Sequence, residues 1–386
     1  MKKLRAGFVG AGRGSVMGAG FNDFGGDVEL VAHYDVNPEA MNRLADALGV
    51  EHRPASYEEF LALDLDIVGI GAPMPYQADM AAKALRSGAN VLSEVTGAVN
   101  LAQCVELVRA VRESGKHYML SENTCFFEDN LLVTELVKRG LFGETYFAEG
   151  EYVHEVRFLF TNADGTPTWR AHWAAGVDGN TYCTHSLGPC LQWLGERIEW
   201  VSCAGSGRWT VPQYIQEDTN LTLGKTESGK LVKLRLDLIS NRPPAGNLFT
   251  LQGTEGCYES GRGPTDVPRI WLKEHSAAPV WRPLAELKDD FLPKKYLAPV
   301  PEAMAGHGIS DYWVIRSFLE AVLEGSKTPF DVYESLDMTA PGLVSQQSIL
   351  KGGVPLHVPN FRQMPDADPY GWLQEQTSIV LVPEPD

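Results

Sequence analysis

Two pairs of tyrosine and histidine side chains that are close in sequence could transfer protons. Tyr152 and His154 are two positions apart in the strand-like run 144–156, so both project from one face of the strand. Tyr182 and His185 lie where a loop enters a predicted helix. Phenol and imidazole groups are common general acids and bases. Each residue taken singly could instead be an ordinary core or surface side chain.

The first third of the chain alternates between strand-like and helix-like segments. Its apolar strand-like runs, which amphipathic segments separate, lie at residues 4–12, 28–35, 65–73, 90–94 and 117–123. Apolar strands that alternate with helices predict a parallel sheet covered on both faces. The sequence therefore predicts an α/β protein with an N-terminal Rossmann nucleotide-binding domain over residues 1–125.

After residue 125 the pattern changes to strand-like runs separated by turn sequences. "ESGK" (227–230) and "GTEG" (253–256) are typical of tight turns between antiparallel strands. We predict an α+β domain with a largely antiparallel open sheet over residues 126–386, which we expect to bind substrate and to mediate oligomerisation. Within it, the proline-rich segment 276–305 is predicted to be surface loop and the tail from residue 364 to be irregular.

The stretch "VGAGRGS" (9–15) follows the first strand and should open a helix. Gly10 permits a tight turn, and Gly12 lets the backbone approach a pyrophosphate held at the helix N-terminus. The third glycine of the usual motif would fall at position 15, where this chain has Ser15 with Gly14 before it. The motif alone is therefore weak, and its position between a strand and a helix strengthens it.

An acidic residue, Asp35, ends the second predicted strand. A carboxylate at this place can accept hydrogen bonds from an adenosine ribose and would repel a 2′-phosphate. The sequence therefore predicts NAD rather than NADP as cofactor. The alternative is a glycine-rich turn followed by a surface acid that binds nothing.

The bulk composition argues against several partners. The formal net charge of −17 is unsuited to nucleic acid or an anionic membrane, which require clustered Lys and Arg. The apolar run after the N-terminal basic residues is short for a secretion signal, and no apolar stretch is long enough to span a bilayer. We expect a cytoplasmic protein that acts on a small molecule.

The cysteines and histidines do not form a recognisable metal motif. The six cysteines are scattered without a CxxC pair, which favours reduced, buried thiols. His154, His172, His185 and His307 match no compact ligand spacing. No metal site is predicted.

Over most of its length the chain resembles the glucose–fructose oxidoreductase / inositol dehydrogenase family, and most closely its NAD-dependent glycosidase branch, glycoside hydrolase family 109 and relatives. The motifs that carry the resemblance are "GAGRGS" (10–15), "SEVTGAVN" (93–100), "SENTCFFEDN" (121–130), "GEYVHEVR" (150–157), "TWRAHW" (168–173), "GNTYCTHSLGPCLQW" (179–193) and "GHGISDYW" (306–313). The chain departs from the motifs of the branch at Thr96, Glu155, Cys183, Ser186, Ile309 and Ser310. No particular sugar or anomer is therefore predicted.

The resemblance also indicates which chemistry is missing. Ordinary dehydrogenases of this family have a Glu-Lys-Pro motif whose lysine is the general base, whereas this chain has Glu94-Val95-Thr96. Valine cannot transfer a proton. The glycosidase branch instead oxidises C3 of the sugar with NAD, removes the acidified C2 proton, eliminates the C1 substituent, adds water and reduces C3 again. The resemblance implies that His185 and Tyr182 transfer protons at C3 and C2, that Tyr152 is the C2 base or its partner, and that His154 is a further catalytic candidate.

The resemblance implies two sets of binding residues. Those expected at the cofactor, besides Gly10, Gly12, Gly14, Ser15 and Asp35, are Arg13, Pro73, Gln77, Glu94, Asn123, Trp169 and Arg170. Those expected at the sugar are Glu94, Tyr152, Arg157, Arg170, Tyr182, His185 and His307, of which Arg157 and Arg170 could bind an anionic group. Simpler alternatives are a structural carboxylate pair for Arg170 and an incidental place in a turn for His307. Asp311 could be either a helix cap or a ligand.

Two other functions compete with a redox-neutral glycosidase. A sugar or cyclitol dehydrogenase could use His185 as its base and would produce NADH stoichiometrically. A non-catalytic nucleotide-binding regulator would bind NAD without turnover. The resemblance also implies a homo-oligomer, a dimer or tetramer, joined through the exposed face of the second-domain sheet.

Overall fold

The computed structural model describes residues 3–24, 26–174, 176–243, 246–263, 265–301, 306–376 and 379–380. Its contacts divide the chain into two compact units. The first unit comprises Met1–Phe126 and Pro299–Leu336, and the second comprises Phe127–Ala298 and Asp337–Asp386.

The first unit contains a five-stranded parallel sheet in the order β2-β1-β3-β4-β5. Its strands are β1 (Leu4–Val9), β2 (Val28–Tyr34), β3 (Ile67–Ile70), β4 (Asn90–Ser93) and β5 (Tyr118–Leu120). The helices between them are α1 (Gly14–Asp23), α2 (Pro38–Leu48), α3 (Tyr57–Leu61), α4 (Met74–Arg86) and α5 (Leu101–Ser114). The Rossmann prediction is confirmed.

Local sequence signals explain these elements. All four residues of β3 are buried, as expected for a strand covered on both faces. Helix α2 begins after Asn37, whose side chain accepts hydrogen bonds from the amides of Glu39 and Ala40. It ends at Gly49, whose φ of 70° is the left-handed conformation that favours glycine.

The second unit is built on a nine-stranded, mostly antiparallel sheet. Its first elements are α6 (Glu128–Lys138), β6 (Thr145–Val153), α7 (Trp169–Trp173), α8 (Thr184–Leu194), β7 (Ile198–Gly205), β8 (Asn220–Thr226), β9 (Leu231–Asp237), β10 (Gly246–Gly253), β11 (Gly256–Glu259), β12 (Arg269–Leu272), β13 (Arg282–Pro283) and α9 (Lys288–Phe291). Strand β6 lies between β10 and β9 and is parallel to β9. The predicted antiparallel open sheet is confirmed, with this parallel pair as its exception.

The remaining elements are β14 (Gly306–Ile309), α10 (Ser310–Glu324), α11 (Val332–Leu350), β15 (Leu356–His357) and α12 (Pro369–Gln376). The irregular tail prediction was wrong, because Asp368 caps a helix there by accepting a hydrogen bond from the amide of Gly371. The predicted loop 276–305 contains the short elements β13 and α9 in its described part, and residues 302–305 lie outside the described residues. No helix in the described part of the chain is long and apolar enough to cross a membrane.

The compact units differ from the predicted domains in one segment. The sequence placed everything after residue 125 in the second domain, but residues Pro299–Leu336 group with the first unit. Long-range hydrogen bonds explain this grouping. Asp311 accepts from Arg13, and the Ser335 hydroxyl accepts from the amide of Leu120.

Candidate functional site

In the glycine-rich turn after β1, two glycines lie against neighbouring backbone atoms and a third has open space beside it. Gly10 has a φ of +92°, and a Cβ there would lie 2.5 Å from the carbonyl oxygen of Gly71. A Cβ at Gly14 would lie 2.1 Å from the carbonyl oxygen of Val9. At Gly12, by contrast, a Cβ would meet no heavy atom of the described residues within 4 Å. Gly14 therefore permits the close helix–strand packing, while Gly12 leaves room beside the backbone for a pyrophosphate.

Asp35 and Ser15 hold this turn in shape. One carboxylate oxygen of Asp35 accepts from the amide of Ala11 at 2.6 Å, and the other accepts from the amide of Asn37 at 2.7 Å. The Ser15 hydroxyl donates to the carbonyl oxygen of Gly12 at 2.6 Å. A carboxylate has about four lone-pair sites, so Asp35 can still accept from a ribose. The turn therefore fits a dinucleotide.

Two other predicted cofactor residues shape the turn after β3. Pro73 immediately precedes helix α4. Gln77 is 2% exposed, and its amide nitrogen donates to the carbonyl oxygen of Ala72 at 2.8 Å. These contacts give Gln77 a structural role, and its contact with a cofactor stays a prediction.

Arg13, the residue before α1, lies between two buried carboxylates. Its Nε donates to Glu94 at 3.2 Å, and its Nη2 is 3.0 Å from the same oxygen. Its two Nη atoms also contact both oxygens of Asp311 at 3.0 and 3.1 Å. Glu94 is 6% exposed and Asp311 is 2% exposed. The guanidinium is thus fully engaged by protein carboxylates.

Asn123 and His307 complete the Arg13 network, which comprises Arg13, Glu94, Asn123, His307 and Asp311. The Asn123 amide donates to Asp311 at 3.1 Å. His307 Nδ1 lies 3.0 Å from Asp311 Oδ2 and 3.1 Å from Arg13 Nη1. Asp311 lies within α10 and not at its cap position. Its carboxylate instead accepts hydrogen bonds from both Arg13 and Asn123.

The network keeps its central pair charged. Burial acts to raise the pKa of Asp311, but hydrogen bonds from His307 and Arg13 and the charge of Arg13 outweigh it and hold that pKa well below its ordinary value. Burial acts to lower the pKa of Arg13, but Glu94 and Asp311 outweigh it and raise that pKa. Both groups are therefore ionised at neutral pH.

The second unit brings the four predicted catalytic residues into one aromatic–histidine cluster, comprising Tyr152, His154, Tyr182 and His185. The ring centroids of Tyr152 and Tyr182 are 5.5 Å apart with an interplanar angle of 19°. His185 lies 5.0 Å from Tyr152 and 5.2 Å from Tyr182, and His154 lies 5.6 Å from Tyr152. All four side chains are half-buried.

Gly150 explains how β6 and α8 come close enough to form this cluster. A Cβ at Gly150 would lie 2.0 Å from the carbonyl oxygen of Ser186, the residue after His185. A glycine two residues before Tyr152 therefore allows the helix to lie directly on the strand. Sequence reasoning quoted Gly150 within a motif and assigned it no role. A glycine on the same strand face as the predicted catalytic tyrosine was the available signal.

A buried apolar cluster packs against Tyr152 and Tyr182. Val156, Phe160, Leu236, Leu238 and Ile239 are buried together, and Tyr152 and Tyr182 pack against them. The strand end is fixed by the amide of His154, which donates to the carbonyl oxygen of Asp237 at 2.8 Å. This packing holds the two tyrosine rings in place, as a site that transfers protons requires.

Arg170 differs from Arg157 in its partners. The Arg170 guanidinium stacks 4.3 Å from the Trp169 ring centroid, and no carboxylate of the described residues pairs with it. Burial lowers the pKa of Arg170, and the Tyr182 and Tyr152 phenols act in the opposite direction. The carboxylate pair that was the simpler alternative for Arg170 is not seen among the described residues.

Arg157 is engaged by protein groups. Its Nε donates to Glu155 at 2.7 Å, and its Nη2 donates to the side-chain oxygen of Asn241. This pairing lowers the pKa of Glu155. Of the two arginines suggested for an anionic substrate group, Arg157 pairs with a carboxylate, whereas Arg170 pairs with none in the described part of the chain.

Five cysteines are buried and Cys257 is half-buried. Among the residues that the structure describes, no three or more His, Cys, Asp or Glu side chains are grouped to hold a metal ion.

Comparison with family models matches both parts of the chain. Residues 4–122 match the oxidoreductase family with an NAD-binding Rossmann fold. Residues 126–217 and 196–365 match the C-terminal domain of glycosyl hydrolase 109. The second match begins four residues after the first ends, so the two together cover most of the chain.

Curated relatives carry the same family name. A glycosyl hydrolase family 109 protein of Saccharopolyspora erythraea is 30% identical over 393 residues, which cover 93% of this chain and 83% of the relative. A second, from Solibacter usitatus, is 26% identical and covers 77% of this chain and 72% of the relative.

Solved structures share the fold at lower identity. A levoglucosan dehydrogenase in complex with NADH and levoglucosan superposes with a TM-score of 0.77 at 18% identity, over 93% of this chain and 100% of that one. An NAD-binding oxidoreductase from Klebsiella pneumoniae gives 0.75 at 19% identity, over 92% and 99%. With the family matches over both units, these findings show that the chain belongs to glycosyl hydrolase family 109 and has an NAD-binding Rossmann domain.

Proposed function

We propose that this protein hydrolyses glycosides by temporarily oxidising the sugar, with NAD as a cofactor that undergoes no net change. The observation that carries the proposal is the aromatic–histidine cluster, in which two phenols and two imidazoles have neighbouring ring centroids 5.0–5.6 Å apart. These groups lie within the part of the chain that matches glycosyl hydrolase 109. They supply several proton-transfer groups in one place.

The first unit is suited to holding NAD. The room beside Gly12 fits the pyrophosphate, and Asp35 fits the adenosine ribose while its charge disfavours NADP. When bound, NAD would accept a hydride from C3 of the sugar and return it to C3 at the end of the cycle. Glu94 and Asn123 follow β4 and β5 and are proposed to orient the nicotinamide side.

The aromatic–histidine cluster is proposed to move the protons of this cycle. One base takes the O3 proton as C3 becomes a ketone, and a second takes the C2 proton, which the ketone makes acidic. The C1–oxygen bond then breaks and the leaving oxygen takes up a proton. Water adds its hydroxyl to C1 and a proton returns to C2, after which O3 is protonated again as C3 is reduced, so the net reaction is hydrolysis.

Within the cluster, His185 and Tyr182 are our candidates for these transfers, with Tyr152 as partner and His154 as a further candidate. The stacked Tyr152 and Tyr182 rings place two phenols side by side. Arg170 interacts electrostatically with both phenols and has no carboxylate of the described residues to neutralise it. A nearby cation favours the ionised form of a phenol, which suits a tyrosine that acts as a base.

Val95 argues against an ordinary dehydrogenase. It is 6% exposed and occupies the position where dehydrogenases of the wider family have a lysine base. A dehydrogenase could still arise if His185 served as the base. The two functions differ in whether reduced cofactor accumulates.

The test is one assay followed in two channels. The purified protein with NAD is mixed with a panel of α- and β-aryl glycosides, and aryl alcohol release is recorded beside NADH absorbance. We expect many turnovers of aryl alcohol release without NADH accumulation. Accumulating NADH with an intact glycosidic bond would replace the proposal by the dehydrogenase, and NAD binding without either product would indicate the regulator.

An exposed tyrosine outside the cluster provides a control for replacing a tyrosine within it. Tyr182→Phe removes one phenol of the cluster, whereas Tyr146→Phe removes an exposed phenol at the far end of β6. We expect Tyr182→Phe to lower kcat by about 10²–10⁴, the usual contribution of a general acid or base, and Tyr146→Phe to leave it unchanged.

We also propose that the protein forms a homo-oligomer through the outer face of the nine-stranded sheet. Leu221 and Leu223 of β8 and Leu231 of β9 are 37–41% exposed there, and their strands are paired directly. Replacing Leu223 by lysine should shift the sedimentation coefficient towards that of a monomer. An unchanged value for this variant would contradict the proposed face.

A further inference from the structure

The loop between β7 and β8, residues 206–219, presents a tryptophan to solvent. Trp209 is 80% exposed, the largest exposed fraction of any tryptophan that the structure describes. A single exposed apolar side chain is common on protein surfaces and needs no partner. Trp209 differs from such residues because its ring is held in one orientation at the surface.

Two neighbours fix the indole ring of Trp209. Its Nε1 donates to the carbonyl oxygen of Ser206 at 2.6 Å. The ring lies against Gly207, where a Cβ would come within 3.0 Å of Nε1 and 3.5 Å of Cε2. Gly207 has a φ of +87° and no side chain, so it leaves room for the ring. The indole is therefore held in place while most of its surface stays exposed to solvent.

Hydrogen bonds within the loop hold the backbone that carries this ring. Asp218 accepts from the amides of Trp209 and Thr210 at 3.2 and 2.8 Å, and from the Thr210 hydroxyl at 2.7 Å. Arg208 Nε donates to the carbonyl oxygen of Ile215 at 2.6 Å, which joins the two arms of the loop. Because these bonds already order the loop, a ligand that binds to Trp209 loses little affinity to further ordering.

The sheet register places this loop at the same end of the sheet as the aromatic–histidine cluster. Tyr152 of β6 pairs with Leu236 of β9. Leu236 pairs in turn with Asn220 of β8, which pairs with Gly205 of β7. Neighbouring strands lie about 4.8 Å apart, so the base of the loop is roughly 14 Å across the sheet from Tyr152.

Two contacts connect the loop to the surroundings of the cluster. Tyr214 packs on the buried apolar cluster against which Tyr182 also packs, and its ring centroid is 5.6 Å from that of Phe160. Arg208 Nη2 donates to Asp178, four positions before Tyr182, at 3.0 Å. The loop that carries the exposed indole is therefore anchored to the elements that position the aromatic–histidine cluster.

We propose that Trp209 is a stacking platform for a sugar ring in the leaving group, and that the substrates are oligosaccharides. The C–H groups on one face of a pyranose form an apolar surface, which packs well on the flat, apolar face of an indole. The distance across the sheet suits a ring further along the substrate than the one that is oxidised. The C1 substituent is the part that every substrate of this route carries. The inference rests on the proposed function and adds the class of leaving group to it.

Pairs of nitrophenyl glycosides test this inference. Each pair is a nitrophenyl monosaccharide and the nitrophenyl disaccharide with the same terminal sugar, for example the β-glucoside and the β-cellobioside, so only the leaving group differs. Release of the terminal sugar is followed by chromatography. Trp209→Ala should raise KM for the disaccharide about three- to tenfold, with kcat unchanged, and leave KM for the monosaccharide as it is. Trp209→Phe keeps an aromatic face and should restore most of the affinity.

A second exposed tryptophan provides the matched control. Trp281 is 42% exposed and immediately precedes β13, which is at the opposite edge of the nine-stranded sheet from β7 and β15. Trp281→Ala should leave both KM values unchanged. The sedimentation coefficient of Trp209→Ala should equal that of the wild type. A lower value would assign Trp209 to a contact with a second copy of the chain and overturn its role as a sugar platform.

Titration calorimetry with the same pairs separates this inference from the proposed function, because binding does not need turnover. If the wild type binds the disaccharide of a pair more tightly and Trp209→Ala removes that difference, the platform is supported even where no glycoside is hydrolysed. If Trp209→Ala changes both members of every pair equally, or neither, the platform is overturned while a redox-neutral glycosidase stands. Disaccharide binding without hydrolysis would contradict the proposed function alone.

Discussion

Replacing Gly150 by alanine is expected to impair catalysis more than stability. The new Cβ would lie 2.0 Å from the carbonyl oxygen of Ser186 and 2.7 Å from its carbonyl carbon. Ordinary contact begins near 3.4 Å, so strand β6 and helix α8 must separate by roughly 1.4 Å. The two nearest atoms belong to the backbone, and no side-chain rotation can relieve the clash. His185, next to Ser186, moves away from Tyr152 as a result.

The magnitude follows from this displacement. Overpacking of this kind costs about 1–3 kcal/mol of unfolding free energy. A shift of about 1 Å in a catalytic group can cost about 10²-fold in rate. We therefore expect Gly150→Ala to remain folded, with a modestly lower Tm by calorimetry and kcat for the active aryl glycoside reduced about 100-fold.

A second sheet glycine makes the matched control. At Gly224 of β8 the three atoms nearest to an added Cβ all belong to the Ile198 side chain, at 3.2 Å or more. Gly224→Ala should change both Tm and kcat little, because that side chain can adjust. If Gly150→Ala kept wild-type kcat below its melting temperature, the positioning of α8 by Gly150 would be refuted.

Three further results are expected. Gly12→Ala should leave Tm nearly unchanged but weaken NAD binding at least about tenfold in titrations, because its Cβ would occupy the space that we propose for the pyrophosphate; unchanged affinity would contradict that use of the space. Gly10→Ala should instead lower Tm, since its φ of +92° and the Gly71 carbonyl oppose a side chain. Asp311→Asn should destabilise by about 2–4 kcal/mol in urea titrations at neutral pH. Because the folded-state pKa of Asp311 is depressed, this difference should persist above the ordinary Asp pKa and shrink as pH falls below it; a pH-independent difference would contradict the ion pair.

Much of the first unit could be predicted because its signals are local. Strand-like apolar runs, the Asn37 cap and Gly49 stop of α2, and the glycine-rich turn each involve a few neighbouring residues. The helix α12 also had a local signal, Asp368 followed by Pro369, which sequence reasoning did not use. The error in the tail was therefore avoidable.

The Arg13 network could not be assembled from local patterns. Arg13 and Asp311 are 298 positions apart. No local sequence pattern at either residue predicts its contact with the other. The sequence identified Arg13, Glu94, Asn123 and His307 separately as binding residues and left Asp311 open. Only the fold shows that they share hydrogen bonds, and that Arg13 is occupied by carboxylates.

The residues of the aromatic–histidine cluster could be predicted from the sequence, but the backbone contact that brings them together could not. Tyrosine and histidine in two motifs 30 residues apart suggested a common site. Their contact depends on Gly150 lying against Ser186, a pair that periodicity cannot connect. The catalytic roles of the four residues stay predictions.

Solvent deuterium tests the central claim most directly. The active aryl glycoside is hydrolysed in D₂O, and the released sugar is analysed by NMR and mass spectrometry. If elimination and water addition occur after oxidation at C3, the product carries deuterium at C2, delivered when the proton returns there. A product that is fully hydrolysed but retains only its original hydrogen at C2 would contradict the redox-neutral elimination route.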